Sequence, residues 1–225
     1  MRENIPEFEG SLRKHMLKVP ESIYKASGIL IFGKRIRSLV FTTDVCIIRN
    51  INADAVIAVY PFTPQPIITQ AIMLTADIPV FCGVGGGITQ GKRVVNVALH
   101  AEFQGAIGVV VNAPTSNDVI AAVRETIDIP VVVTVVSSQD DIGARLEAGA
   151  SIINVSGGAA TPEIVAEIRS RFPVLPIIAT GGPDEKTISR TIRAGANAIT
   201  WTPPSGSEIL GRIMESYREE EPSGG

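Results

Sequence analysis

Histidine and cysteine are nearly absent. The 225-residue chain has two of each, His15, His100, Cys46 and Cys82, widely separated in sequence. That excludes multi-histidine metal chemistry, and the cysteine spacing fits neither a zinc site nor a disulfide framework, so no metal is expected and a reducing compartment is. An excess of one charge is also missing: 20 Lys and Arg stand against 23 Asp and Glu, a formal −3. Without a basic stripe there is no footprint for nucleic acid or anionic lipid, so neither is an expected partner. Long apolar runs are absent too. The longest, such as Pro130-Val131-Val132-Val133-Thr134-Val135, reach five or six residues, against roughly 20 for a bilayer span. The first residues, Met1-Arg2-Glu3-Asn4-Ile5-Pro6-Glu7, are charged and offer no apolar leader. A cytoplasmic protein is expected.

What the chain has in quantity is short β-branched segments. Ala55-Val56-Ile57-Ala58-Val59, Ile107-Gly108-Val109-Val110-Val111 and Ile152-Ile153-Asn154-Val155 do not alternate with polar residues, as expected of parallel strands buried on both faces. Helical stripes lie between them, for example Ile164, Val165, Ile168 and Phe172 after a helix start at Thr161-Pro162-Glu163. The joints repeat. Gly105-Ala106, Gly149-Ala150 and Gly195-Ala196 are 44 and 46 residues apart, and Ile78-Pro79, Ile129-Pro130 and Leu175-Pro176 are 51 and 46 apart. Glycine suits the left-handed residue past a helix end, and proline the first residue of a strand. Each period then holds two strands and two helices, and four periods make a single (β/α)8 barrel over 1–225. Strands are expected near 38–42, 54–59, 79–83, 107–111, 130–135, 151–155, 176–180 and 197–201. An amphipathic lead-in helix over 7–27, with Phe8, Leu12, Met16 and Leu17 on its apolar face, is expected to precede a hairpin that plugs the barrel bottom. The tail at 219–225 is expected to be disordered.

Barrel chemistry sits at the carboxyl ends of the strands. Those ends supply hydroxyls, amides and glycines, with Asp44 the one carboxylate and no histidine. The strongest signal is Thr180-Gly181-Gly182 before a helix opened by Pro183-Asp184-Glu185, beside Thr202-Pro203-Pro204-Ser205. Glycines let backbone N–H groups approach an anion, and a helix start adds positive partial charge. Ser156, Gly157 and Gly158 are expected to add a third wall, and the opposed reading is that Gly181-Gly182 only makes a tight turn and Ser205 or Ser207 only caps the last helix.

The segment from Val174 to Ser207, with Pro-Ile-Ile-Ala-Thr-Gly-Gly followed by Ile-Arg-Ala-Gly-Ala-Asn-Ala-Ile-Thr, resembles the phosphate-binding (β/α)8 superfamilies. These include thiazole synthase, the tryptophan- and histidine-biosynthesis barrels, and phosphosugar aldolases and epimerases. Residues 28–44 resemble the hairpin and first strand of the thiazole synthase group, and the whole pattern resembles bacterial barrels with only a generic hydrolase label. The resemblance implies a barrel and a phosphate site, not a reaction. No lysine lies in an expected barrel strand to form a Schiff base. The fifth strand offers only Thr134, Ser137 and Ser138 where the isomerases place an acid or base, with Asp140 and Asp141 expected inside the following helix.

The candidate catalytic set is Asp44 as acid or base, with Tyr60 and Asn112 to orient or polarise a carbonyl, the competing reading of each being a side chain that satisfies a loop backbone. The competing reading of Asp44 is a cap on the helix at 45–49. Gly86 to Lys92 fits G-x-x-x-x-G-K, but Arg93 stands where a nucleotide loop has the Ser or Thr that holds magnesium. We read this stretch as a glycine-rich loop over the mouth, with Gly85, Gly86 and Lys92 as ligand contacts. The ligand-binding set is thus Gly85, Gly86, Lys92, Thr134, Ser156, Gly157, Gly158, Thr180, Gly181, Gly182, Thr202 and Ser205. His100 belongs to an outer helix, and Trp201 to the core or the rim. The apolar helix at 67–74 is a candidate homodimer patch. Two functions follow: isomerase- or lyase-type chemistry on a small phosphorylated metabolite, or a barrel that binds such a ligand and reports it, resembling the glycerol-operon antiterminators. A hydrolase of a small anion is the third. No cofactor is expected, FMN being the alternative.

Overall fold

The computed structural model describes Pro6, Phe8, Gly10 and residues 16–220. An antiparallel hairpin, β1 (Ile29–Ile31) and β2 (Lys34–Ile36), precedes eight parallel strands: β3 (Ser38–Phe41), β4 (Ala55–Ala58), β5 (Val80–Gly85), β6 (Gly108–Val111), β7 (Val131–Val135), β8 (Ile152–Val155), β9 (Ile177–Thr180) and β10 (Ala198–Trp201). They pair in chain order, and β10 returns to β3 to close the barrel. The helices following the eight strands are α1 (Val45–Arg49), α2 (Pro66–Thr75), α3 (Lys92–Phe103), α4 (Asn117–Thr126), α5 (Ile142–Glu147), α6 (Thr161–Arg171), α7 (Glu185–Arg193) and α8 (Gly206–Glu220). This is the α/β barrel that the repeated joints imply. Among the described residues no helix is long and apolar enough to cross a membrane.

The unbroken apolar strands fill two cores. Side chains such as Val109, Val133 and Ile153 pack outward against the helices. Their neighbours Val110, Val132 and Ile152 point inward, where Phe81 is fully buried. Ile29, Ile31 and Ile36 of the hairpin join this inner cluster, so the hairpin does close the amino-terminal end of the barrel. The glycines of the Gly-Ala joints are left-handed, with φ of 92°, 108° and 115° at Gly105, Gly149 and Gly195. In each, the glycine N–H bonds the carbonyl three residues back and the alanine N–H the one five back. Three copies of one helix stop thus deliver three strands in register.

Two expectations fail at the ends. The lead-in helix over 7–27 is absent from the described residues, where only a short 3-10 turn, Glu21–Lys25, forms. Pro20 forbids the continuous helix, since it has no N–H and biases Val19 away from helical backbone. Leu17 instead pairs in parallel with Ile51, while Phe8 and Met16 are exposed. Leu12 lies outside the described residues. At the other end, α8 runs on to Glu220, into the stretch expected to be disordered. Residues 221–225 lie outside the described set.

Candidate functional site

Barrel strands end in a polar floor. Thr134, Asn154, Thr180 and Thr200 sit two residues beyond Val132, Ile152, Ile178 and Ala198 of the inner core, and so point the same way. Asn154 Nδ2 donates to Thr134 Oγ1 at 3.2 Å, and Thr180 Oγ1 donates to Ser156 Oγ at 3.3 Å. Asn154 Oδ1 and Thr200 Oγ1 are buried and unpartnered. Asn154 was not among the expected site residues. Its signal was an amide at inward parity within an otherwise apolar strand.

On one side of this floor a cavity of about 200 Å3 is lined by Tyr60, Phe62, Gly83, the glycine loop from Gly85 to Thr89, and Asn112. Tyr60 Oη accepts from Gln65 N at 2.9 Å, leaving the phenolic proton for another acceptor. Asn112 N donates to Gly85 O at 2.9 Å, while its side-chain Nδ2 reaches Gly86 O only at 3.5 Å. The loop can lie this close because residue 86 is glycine: a Cβ there would meet Asn112 N and Thr115 Oγ1, each at 2.7 Å. The structure therefore brings together Tyr60, Asn112, Gly85 and Gly86.

Asp44 does not join them. It caps α1, its Oδ1 accepting from Cys46 N at 2.8 Å and Ile47 N at 3.3 Å, and its Oδ2 lies 2.8 Å from where a Cβ on Gly206 would sit. The capping reading is what the geometry carries, and the catalytic trio is split. Asp140 is also not in a helix. It precedes α5 and folds back on the end of β7, Oδ2 accepting from Val136 N at 3.0 Å and Ser137 N at 3.1 Å. Asp141, expected inside the helix, is instead its cap.

The expected anion cradle after β9 and β10 is differently built. A side chain on Gly181 would collide with Ile199 and Ile188, one on Gly182 with Thr187, and one on Gly157 with Ile164. These glycines allow helices to pack closely against strand ends. The helix starts there already have a carboxylate partner. Asp184 accepts from Thr187 N at 2.8 Å, which with the Thr187 hydroxyl holds its carboxyl below the usual carboxylate range. Ser205 N donates to Glu208 Oε2 at 2.7 Å on α8, and this holds Glu208 low as well. Each carboxylate stands where a phosphate would compete for the same donors. Thr202 and Ser205 are exposed, Ser156 is exposed, and Gly158 has open space around it.

The remaining candidates are outside the mouth. Trp201 packs against the outer core, and His100 is half-buried on α3. Burial pushes the Cys82 thiol up to about 12, so it is not a nucleophile near neutral pH. Ile67 and Leu74 of α2 are exposed.

No protein-family model matches the chain, and no curated protein matches its sequence. Among solved structures, phosphonopyruvate hydrolase with oxalate and Mg2+ is 15% identical, with a TM-score of 0.62 over 84% of this chain and 83% of that one. Oxaloacetate acetylhydrolase with oxalate is 11% identical, with a TM-score of 0.62 over 91% and 86%. 2,3-Dimethylmalate lyase, a member of the PEP mutase/isocitrate lyase superfamily, is 14% identical, with a TM-score of 0.58 over 81% and 79%. Identities at this level establish a shared barrel fold. They support the barrel that the sequence resemblance implied, but not its narrower placement beside thiazole synthase or the tryptophan and histidine barrels.

Proposed function

We propose that the protein binds a small phosphorylated, anionic metabolite at the C-terminal mouth and acts on it by isomerase- or lyase-type chemistry. The supporting observation is the cavity shared by Tyr60 and Asn112. Both can donate a neutral hydrogen bond, one from a phenol whose lone pair is already engaged and one from an amide with little else to hold. Donors of this kind stabilise charge that develops on a carbonyl oxygen, and Tyr60 is the group able to deliver a proton to it. Val59 and the exposed Phe62 add apolar lining beside that oxygen.

A second reading, a barrel that senses the same ligand without turning it over, is favoured by one fact. Asp44 and Asp140, the carboxylates beside the strand ends, are engaged by backbone N–H groups. The same fact bears on metal. Among the described residues no three of His, Cys, Asp and Glu come together. The donor set does not fit the Mg2+ seen in phosphonopyruvate hydrolase. Hydrolysis of a small anion, the activity in two of the similar structures' names, would therefore have to activate water without a carboxylate in the cavity wall.

Thermal melting against phosphosugars, small keto acids, FMN and their dephosphorylated or reduced counterparts tests the proposal. A ligand at 100 times its Kd stabilises by about 2.7 kcal/mol. Stabilisation with turnover that falls about 100-fold in Tyr60→Phe or Asn112→Ala, in the range for loss of an oxyanion donor, supports the enzyme. Stabilisation without turnover supports the sensor. No stabilisation by any member overturns both.

A further inference from the structure

Of the eight barrel helices, α2 is the one without a charged residue. It reads Pro-Ile-Ile-Thr-Gln-Ala-Ile-Met-Leu-Thr over Pro66–Thr75, while every other helix carries Arg, Lys, Asp or Glu. A helix that is apolar on all sides is ordinarily buried on all sides. Here only Thr69 and Ile72 are buried, on the face turned to the barrel. On the opposite face Ile67 is 66% and Leu74 81% exposed, with Gln70 and Ala71 exposed between them. Ile67 and Leu74 are two helical turns apart and so share one stripe.

The stripe is longer than the helix. Phe62, just before α2, is 71% exposed, and Phe103, which ends α3, is 76% exposed. α3 packs beside α2 and their ends meet, since a Cβ on Gly105 would touch Met73 Cε at 3.8 Å. Phe62 therefore extends the stripe at one end of α2 and Phe103 at the other. At roughly 100–150 Å2 each, these four large side chains present on the order of 500 Å2 of apolar surface. An interface of standard size buries about 800 Å2 per partner, about 60% of it apolar. The patch is thus large enough for a stable dimer.

Two features select a second copy of this chain over an unrelated partner. In a twofold contact the residues nearest the axis face their own copies, so a charge there meets its own sign. α2 is the barrel helix that avoids this. The apolar side chains are also spaced about its centre, Phe62 and Ile67 to one side of Ala71, Leu74 and Phe103 to the other. Two copies of α2 packed antiparallel across the small Ala71 would set Ile67 against the partner's Leu74 and Phe62 against the partner's Phe103.

We infer that this face is the interface of a homodimer, with its twofold axis near Ala71, and that the Tyr60 cavity opens at the edge of that interface. Phe62 lines the cavity, and Gln65 N at the start of α2 donates to Tyr60 Oη. The second copy then covers the exposed side of one cavity wall. The inference goes beyond the proposed function and holds whether or not the cavity turns a ligand over.

Sedimentation velocity on the full chain is the test, with hydrogen exchange to locate the contact. The chain should sediment as a dimer at micromolar concentration. Leu74→Arg and Ile67→Arg, both at exposed positions, should each weaken association at least about thirtyfold, the scale of a hot-spot loss, with an unchanged circular dichroism spectrum. Amide exchange over residues 62–74 should be faster in these variants than in the parent dimer. Leu210→Arg should leave the dimer intact, although α8 also exposes Leu210, Met214 and Tyr217. A parent chain that stays monomeric at hundreds of micromolar overturns the inference. So does dissociation by Leu210→Arg in place of the α2 variants, or exchange over 62–74 that is the same in parent and variants.

Discussion

Gly86 combines a φ of 98° with a close approach to backbone, its Cα hydrogen facing Asn112 N and Thr115 Oγ1. Alanine there meets both the left-handed penalty and a backbone clash. Gly86→Ala should cost roughly 1–3 kcal/mol, or displace the loop and abolish ligand stabilisation; urea unfolding and the thermal panel together distinguish the two effects. A second residue-scale prediction concerns Asp184. Its folded pKa lies below the unfolded value of about 3.9. The stability it contributes is therefore present above that value and lost as pH falls through the folded pKa. Asp184→Asn keeps a cap but does not titrate, so its deficit relative to the parent should shrink as melts are taken from neutral pH to below about pH 3.9. A gap that stays constant would remove the carboxylate charge from the account.

Among the elements, α5 positions the site although none of its residues lines the Tyr60 cavity. Arg145 donates to Ala113 O, Thr115 O and Asn117 Oδ1, fastening the loop between β6 and α4 that carries Asn112 and Thr115. Hydrogen bonds from a charged donor contribute about 1.5–3 kcal/mol each at most. Arg145→Met should lower the melting temperature without ligand and reduce ligand stabilisation in the thermal panel; an unaltered melt would remove Arg145 from the account. The glycines after β9 behave as packing joints. Gly181→Val should destabilise the fold through Ile199 and Ile188 rather than act on affinity alone. Pure loss of affinity with an unaltered melt would restore the anion cradle there.

For the whole molecule, the hairpin is part of the barrel core. Ile36 is 1% exposed and packs with the inner side chains. Ile36→Ala should cost about 2–5 kcal/mol, as a buried truncation that leaves a cavity. A change much below that, by calorimetry or urea melts, would show the plug to be dispensable.

The barrel was legible because its information is local and repeated. A β-branched run buried on both faces, a left-handed glycine after a helix and a proline at a strand start each act within a few residues. Every expected strand is present within a residue or two of its bounds. The capping of α1 by Asp44 was likewise readable as one of two alternatives. Pro20 was readable too, and its veto of the lead-in helix was missed. What tertiary structure alone decided is which side chains meet. Whether Gly181-Gly182 cradles an anion or admits Ile188 depends on a helix packed across it. Whether Asp140 faces a ligand or its own strand end depends on the path of one loop. That Tyr60 and Asn112, 52 residues apart, share one cavity follows from strand order and shear around a closed barrel, which no local pattern encodes.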